Sequence, residues 1–295
     1  MNCNICGRPA EPLFTTRVLG RHEVTYHRCG RCGFIQTDEP FWLAEAYKDA
    51  INIYDVWAVS RPIHDCEMVV RLIDRCFAGT GLPFLDFGGG HGIFTRRMRD
   101  KGYPFLRSDT YTPNLYARCF DVTDYPRESR FALIACFEVF EHLPDPIKEL
   151  RALFELADTV VFSTNIAPAG LKKEGDWNYF APYHGQHVSF YTVAALEELA
   201  AATGSRLYTD RLDHHLLTRA NLRLTQAQFV GIASGHPSNR LRRLLQKAGN
   251  ALLRLSRPRS QWKPRESLTF ADFNRVCEIT KKEPGFPENK PGVMD

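Results

Sequence analysis

The chain has no stretch long enough and apolar enough to cross a bilayer. Its strongest apolar run, 131–140, falls short and is broken by Glu138. No basic stretch followed by an apolar core opens it, so no secretory leader is expected and a cytoplasmic location is. No internal repeat occurs. No basic stripe runs through the first 235 residues, which counts against a nucleic-acid partner. Acidic residues are missing altogether from 236–265, where nine Lys and Arg fall. The net charge of +4 over 295 residues therefore belongs to one segment, and the remainder is net negative.

What is present is an ordinary globular composition, 44% hydrophobic and 24% charged. Four of the nine cysteines form two C-x-x-C pairs, Cys3/Cys6 and Cys29/Cys32, with 22 residues between the pairs. Gly7 and Gly33 follow the second cysteine of each pair. This is a zinc knuckle sequence: the tight turn lets backbone N–H groups face thiolate sulfurs. Four thiolates make a closed tetrahedral site, so the zinc is expected to be structural. Residues 1–37 are short on core residues, and the metal is expected to replace that core. His22 and His27 lie between the pairs and are not needed as ligands.

Residues 38–80 read as helical linkers, the best being 60–77, with Met68, Val69, Leu72, Ile73 and Cys76 on one face. From 81 to 234 strand and helix patterns alternate. Strands are expected at 83–86, 103–108, 131–137, 159–163, 206–210 and 215–219, and helices at 92–101, 144–156 and 192–203. That order implies an α/β domain with a mostly parallel sheet. Residues 235–282 form a basic extension, with Leu241, Leu244, Leu245, Leu252 and Leu255 on one helical face and Arg240, Arg242, Arg243, Lys247 and Arg254 beside it. It suits docking onto the protein, contact with an anionic membrane through 240–257, or a phosphorylated or nucleic-acid partner. The tail 283–295 combines prolines, glycines and charge and is expected to be disordered.

Ligands of open α/β sheets bind beyond the carboxyl ends of the strands. The first strand of the domain ends at Asp86, and the turn after it carries Gly88, Gly90 and Gly92. A dinucleotide turn would need a third glycine where Ile93 stands. The spacing D-x-G-x-G-x-G resembles instead the first motif of class I S-adenosylmethionine-dependent methyltransferases. The resemblance implies a Rossmann-like, mostly parallel seven-stranded sheet. It also implies an acid after the second strand that holds the ribose hydroxyls, a position that Asp109 fills, and an adenine contact at Asp121. The segment Glu138-Val139-Phe140-Glu141-His142-Leu143-Pro144-Asp145-Pro146 resembles the E-V-x-E-H-L-x-D-P stretch of many small-molecule methyltransferases. By that resemblance Glu138 lines the methionine or substrate side. Glu141 reads as a helix N-terminal acid and His142 as structural.

Residues 177–191 are rich in aromatics and histidine, and a loop there lies near the transferable methyl. Aromatic faces suit stacking on sugars, and imidazole suits proton removal near neutral pH. Four zinc cysteines, a class I domain and such a segment together resemble bacterial sugar C-methyltransferases over roughly the first 192 residues, without that family's C-terminal domain. The resemblance makes His187 the general base, with His184 and Tyr183 as candidate helpers, although Gln186 stands where the family has an acid. The expected activity is in-line methyl transfer from S-adenosylmethionine to a small molecule, a sugar by preference. An RNA methyltransferase and a non-catalytic zinc scaffold are the competing readings.

Overall fold

The computed structural model describes residues 1–48, 56–125, 130–235 and 267–280. Two sheets organise it. A four-stranded sheet in the order β1-β2-β3-β8 is built from β1 (Ala10–Val18), β2 (His22–Cys29), β3 (Ile35–Thr37) and β8 (Ser189–Phe190), all neighbours antiparallel. A six-stranded sheet has the order β5-β4-β6-β7-β10-β9, from β4 (Phe84–Phe87), β5 (Phe105–Ser108), β6 (Ile134–Phe137), β7 (Thr159–Ser163), β9 (Arg206–Thr209) and β10 (His214–Thr218). β4 lies parallel to β5 and β6, and β6 parallel to β7; β10 runs antiparallel to β7 and to β9. β6 and β7 are almost wholly buried, which explains why they read as continuous apolar runs rather than alternating ones.

The expected seventh strand is not among the described residues. Beyond β5 its place is held by one parallel bridge, Arg107 to Asp121. Residues 122–124 turn at once into a 3-10 turn capped by Asp121, which ends any strand there.

α2 (Ser60–Cys76), α3 (Ile93–Asp100) and α6 (Gln226–Ser234) cover one face of the large sheet. Met68, Leu72, Phe94, Met98 and Phe229 pack on Phe84, Phe105 and Leu216. α2 is thus core to the domain, not the linker the sequence suggests. α4 (Pro146–Leu156), capped by Asp145 accepting from Lys148 N at 3.1 Å, and α5 (Val193–Thr203), capped by Thr192, cover the other face. The cysteine segment joins them there: Cys3, Ile5, Cys29, Cys32 and Phe34 share a buried cluster with Phe140, Leu150, Phe162 and Leu196. It does not lack a core, as its composition suggested; it borrows one from the domain.

A short helix, α1 (Leu43–Ala46), follows the ribbon, and α7 (Thr269–Thr280) docks on α3. The expected basic helix over 240–257 and the tail 283–295 lie outside the described residues. Among the described residues no helix is long and apolar enough to cross a membrane.

Candidate functional site

The glycine turn leaves β4 at the carboxyl edge of the large sheet. A Cβ on Gly88, whose φ is +70°, would come 2.6 Å from Val139 Cγ2, so glycine lets the chain after β6 close onto the turn. Gly92 caps α3 with φ +89°, crowded by Asn114 and Ala117. Gly90 faces open space: a Cβ there would meet nothing within 4 Å. The backbone of Gly90 is therefore the part of the turn that a ligand can approach closely.

Asp86 is buried beneath this turn. Its Oδ2 accepts from Thr95 Oγ1 at 2.7 Å, and burial pushes its carboxyl up to about 7. Asp109 sits at the end of β5. Its Oδ2 accepts from Gly90 N at 2.9 Å, and its Oδ1 from Tyr111 N and Thr112 N at 2.8 and 2.7 Å. A carboxylate offers about four acceptor positions, so room remains for hydroxyl donors. Asp121 is drawn to the same place by Arg107, whose Nη1 donates to Oδ1 at 2.6 Å, and by Asn114 at 3.0 Å.

Glu138 follows β6 with φ +53°, a costly conformation for a residue with a Cβ. Ser163 clasps it, accepting from Glu138 N at 2.9 Å and donating to Oε1 at 2.7 Å. Burial raises its carboxyl. Glu138 and Ser163 line a cavity of about 270 Å³ with Arg61 and Asp65 of α2 and Asp213 and His214 at the start of β10. Burial alone would lower His214, but Asp210, Asp213 and Asp65 override it and hold it up to about 11, a charged imidazole among carboxylates.

Next to Glu138 the chain makes a 3-10 turn, Phe140–His142, that lies against the 177–191 loop. Glu141 is fully buried, its Oε1 accepting from the Tyr179 hydroxyl at 2.6 Å while its Oε2 makes no hydrogen bond. Burial lifts this carboxyl well above the usual range. His142 Nδ1 faces Gln186 O at 3.1 Å and the Tyr47 hydroxyl at 3.0 Å. His187 Nδ1 faces Tyr179 O at 2.7 Å. The two rings meet edge to face, 4.9 Å apart. Burial lowers both, His142 to about 4, so both are neutral at pH 7.

His184 stacks edge-on between Tyr183 and His187, and Gln186 N donates to its Nδ1 at 3.1 Å. Tyr183 is 53% exposed. Phe180 and Phe190 are not free for stacking on a substrate, because they pack with Phe14 and Tyr26 in the core of the small sheet. The loop's aromatics mostly hold the loop in place.

Three residues here had no sequence signal. Tyr47 stacks on Tyr111, ring centroids 4.2 Å apart, and so ties His142 to the loop beginning at Asp109. Arg107, 3% exposed, sits behind the glycine turn. Asp65 reaches His214 from α2. Glu141 and His142 were visible only as part of a motif, and nothing in the sequence placed them against His187.

The four cysteines gather at the other end of this loop. All four sulfurs lie within 4.8 Å of one another, with Cys3 Sγ 3.7 Å from Cys32 Sγ and Cys6 Sγ 3.4 Å from Cys29 Sγ. Gly7 and Gly33 both take positive φ, +67° and +72°, as the two knuckle turns require. The Cys32 thiol, with the backbone of Cys6 and Ile5, holds Cys3 down at about 5. His22 and His27 are engaged by Glu45 and Asp38, away from the sulfurs.

Residues 63–209 match a family model described as a methyltransferase domain. The large sheet and its helices are those of a Rossmann-like class I methyltransferase. No curated protein matches the chain. Among solved structures, a 1,6-didemethyltoxoflavin N1-methyltransferase of Burkholderia thailandensis is 16% identical, with TM-score 0.44, 71% of this chain covered and 98% of the other. A magnesium protoporphyrin IX methyltransferase of Synechocystis is 14% identical, with TM-score 0.40 and coverage of 60% and 93%.

Proposed function

We propose that this S-adenosylmethionine-dependent methyltransferase acts on a small hydroxyl-rich acceptor, a sugar that is nucleotide-linked, lipid-linked or part of a polysaccharide. The observation that carries the reading is the placing of the His187 ring, which meets His142 edge to face in the turn that follows Glu138, and Glu138 in turn walls a polar cavity. The cavity offers carboxylates, a serine hydroxyl and a charged imidazole, groups that suit alcohols better than an apolar ring.

The cofactor supplies an activated methyl group. Asp109 accepts from the ribose hydroxyls, Gly90 gives close backbone approach while Gly88 and Gly92 let the turn pack against Val139, Asn114 and Ala117, and Asp121 lies on the adenine side. Asp86 shapes the turn from below. Glu138 borders the methionine or acceptor side. His187, its proton fixed on Nδ1 by Tyr179 O, offers a bare Nε2 to the acceptor's proton, from a hydroxyl or from a carbon alpha to a carbonyl. His184 and Tyr183 assist from beside His187. The four cysteines hold a structural zinc. The segment 240–257 serves as a contact for an anionic membrane surface, at the inner face in the cytoplasm.

Calorimetry with S-adenosylmethionine tests the donor, and absence of binding would sink this reading. In His187→Ala binding should persist while turnover on the accepted sugar falls at least about a hundredfold. Full turnover in that variant removes His187 from the chemistry.

A further inference from the structure

We propose that Glu141, His142 and His187 form a second metal site, one that binds a divalent first-row transition cation and leaves a position for the acceptor's oxygen. One ligating atom of each residue lies within 4.8 Å of the others. Both imidazoles are locked by backbone carbonyls, His142 Nδ1 by Gln186 O and His187 Nδ1 by Tyr179 O. A carbonyl only accepts, so the His187 proton sits on Nδ1 and its Nε2 is bare; at His142 a proton on Nδ1 serves both the Gln186 carbonyl and the Tyr47 hydroxyl oxygen and leaves Nε2 bare in the same way. A carbonyl on the remote nitrogen is the usual outer partner of a metal-ligating histidine, because it fixes both tautomer and ring angle.

Glu141 supplies an independent observation. The residue is 0% exposed, and while Tyr179 satisfies Oε1, Oε2 makes no hydrogen bond. A buried oxygen left without a partner is costly, and a cation at the cluster satisfies it. Two imidazoles and one carboxylate suit Mn²⁺, Fe²⁺, Co²⁺ or Zn²⁺, unlike the four soft thiolates of the knuckle. Both histidines remain partly open, so coordination here is incomplete without an outside ligand, as at catalytic metal sites.

This inference rests on the methyl-transfer reading and changes the part His187 plays in it: Nε2 holds the cation in place of the proton. An acceptor hydroxyl on the cation is acidified and loses its proton to water. Its oxygen then bonds to the methyl carbon as the carbon–sulfur bond breaks, the electron pair staying on sulfur.

The test titrates the full chain, with zinc in its knuckle, with Mn²⁺ followed by electron paramagnetic resonance. Thiolates are poor ligands for Mn²⁺, so the knuckle should not compete. One Mn²⁺ per chain is expected, bound at least about tenfold more weakly in Glu141→Gln and in His142→Gln. Elemental analysis after zinc loading should find a second zinc that Glu141→Gln lacks. No Mn²⁺ binding together with a single zinc per chain overturns the site, and so does binding unchanged in both variants. The wild-type titration decides even if a variant fails to fold. Calorimetry with S-adenosylhomocysteine on the same sample separates the two readings. Nucleoside binding without Mn²⁺ defeats the metal site and leaves His187 as base. Mn²⁺ binding without nucleoside defeats the methyl-transfer reading and leaves the metal.

Discussion

At Arg107 one buried guanidinium reaches three separate pieces of chain. Nε donates to Gly90 O at 2.6 Å, Nη1 to Asp121 at 2.6 Å and Nη2 to Thr112 O. The glycine motif is thus braced by a residue outside it, which together with Asn114 also draws Asp121 to the site. Hydrogen bonds to charged groups are worth about 1.5–3 kcal/mol each. Arg107→Met should therefore weaken S-adenosylhomocysteine binding at least about tenfold and lower the unfolding temperature. Unchanged affinity by calorimetry would mean the turn holds itself. The motif was legible because its glycines and Asp109 are adjacent or regularly spaced in sequence; Arg107 was not, since an arginine in a strand ordinarily reads as surface. His214 gives a pH prediction of definite sign. Its three carboxylates hold the folded value near 11, against an ordinary value of 6.5. The folded state binds the extra proton between those limits, so this stabilisation is complete below about pH 6.5 and is lost as pH rises toward 11. The stability gap between wild type and His214→Gln should shrink by more than about 1.4 kcal/mol, the worth of one pKa unit, between pH 6 and pH 10. A gap constant across that range would show that His214 is held by packing alone.

Between elements, single side chains settle how helices dock. Thr192 both caps α5, accepting from Ala195 N at 3.0 Å, and donates to Cys32 O at 2.5 Å, so the knuckle rests on the helix N-terminus. Thr192→Ala should cost about 1–2 kcal/mol by urea denaturation, the ordinary range for a lost cap, with some of the loss coming from the knuckle contact. On the other face Asp272 of α7 meets Arg99 of α3 twice and Arg96 once, with Asp272 and Arg99 both nearly inaccessible. Asp272→Asn strands a buried guanidinium and should cost about 3–5 kcal/mol. Pairing it with Arg99→Met should recover much of that loss. If the single variant is neutral in denaturation, α7 contributes nothing to the fold. The basic run of the extension lies outside the described residues, and α7, its described part, docks through an acid. α4 and α5 were legible because Asp145 and Thr192 cap regular apolar patterns. β8 was not, because two residues carry no periodicity and its pairing with β3 joins positions far apart in sequence.

Over the whole molecule the question is whether the ribbon and the methyltransferase domain unfold as one body. Ile35 pairs with Phe190 across β3 and β8, and three of the four cysteines lie in the same buried cluster as the residues under α4 and α5. β8 begins two residues after His187, and Val188 N donates to Glu141 O at 2.8 Å, so the sheet that the knuckle anchors also positions the loop of the candidate site. The sequence suggested a metal standing in for a missing core. With the core shared, the zinc proposed for the four cysteines instead closes one edge of a common body. Removing it should expose four thiolates and loosen β3, β8 and the His187 loop together. Calorimetric scans with and without a zinc chelator should then show one transition in both cases, shifted down by at least about 10 °C, since about 1 kcal/mol moves a chain of this class by only 2–4 °C and structural zinc is worth several times that. A ribbon that merely decorated the domain would behave differently: a second, low transition would appear while the main one stayed where it was, and that outcome would separate the knuckle from the site.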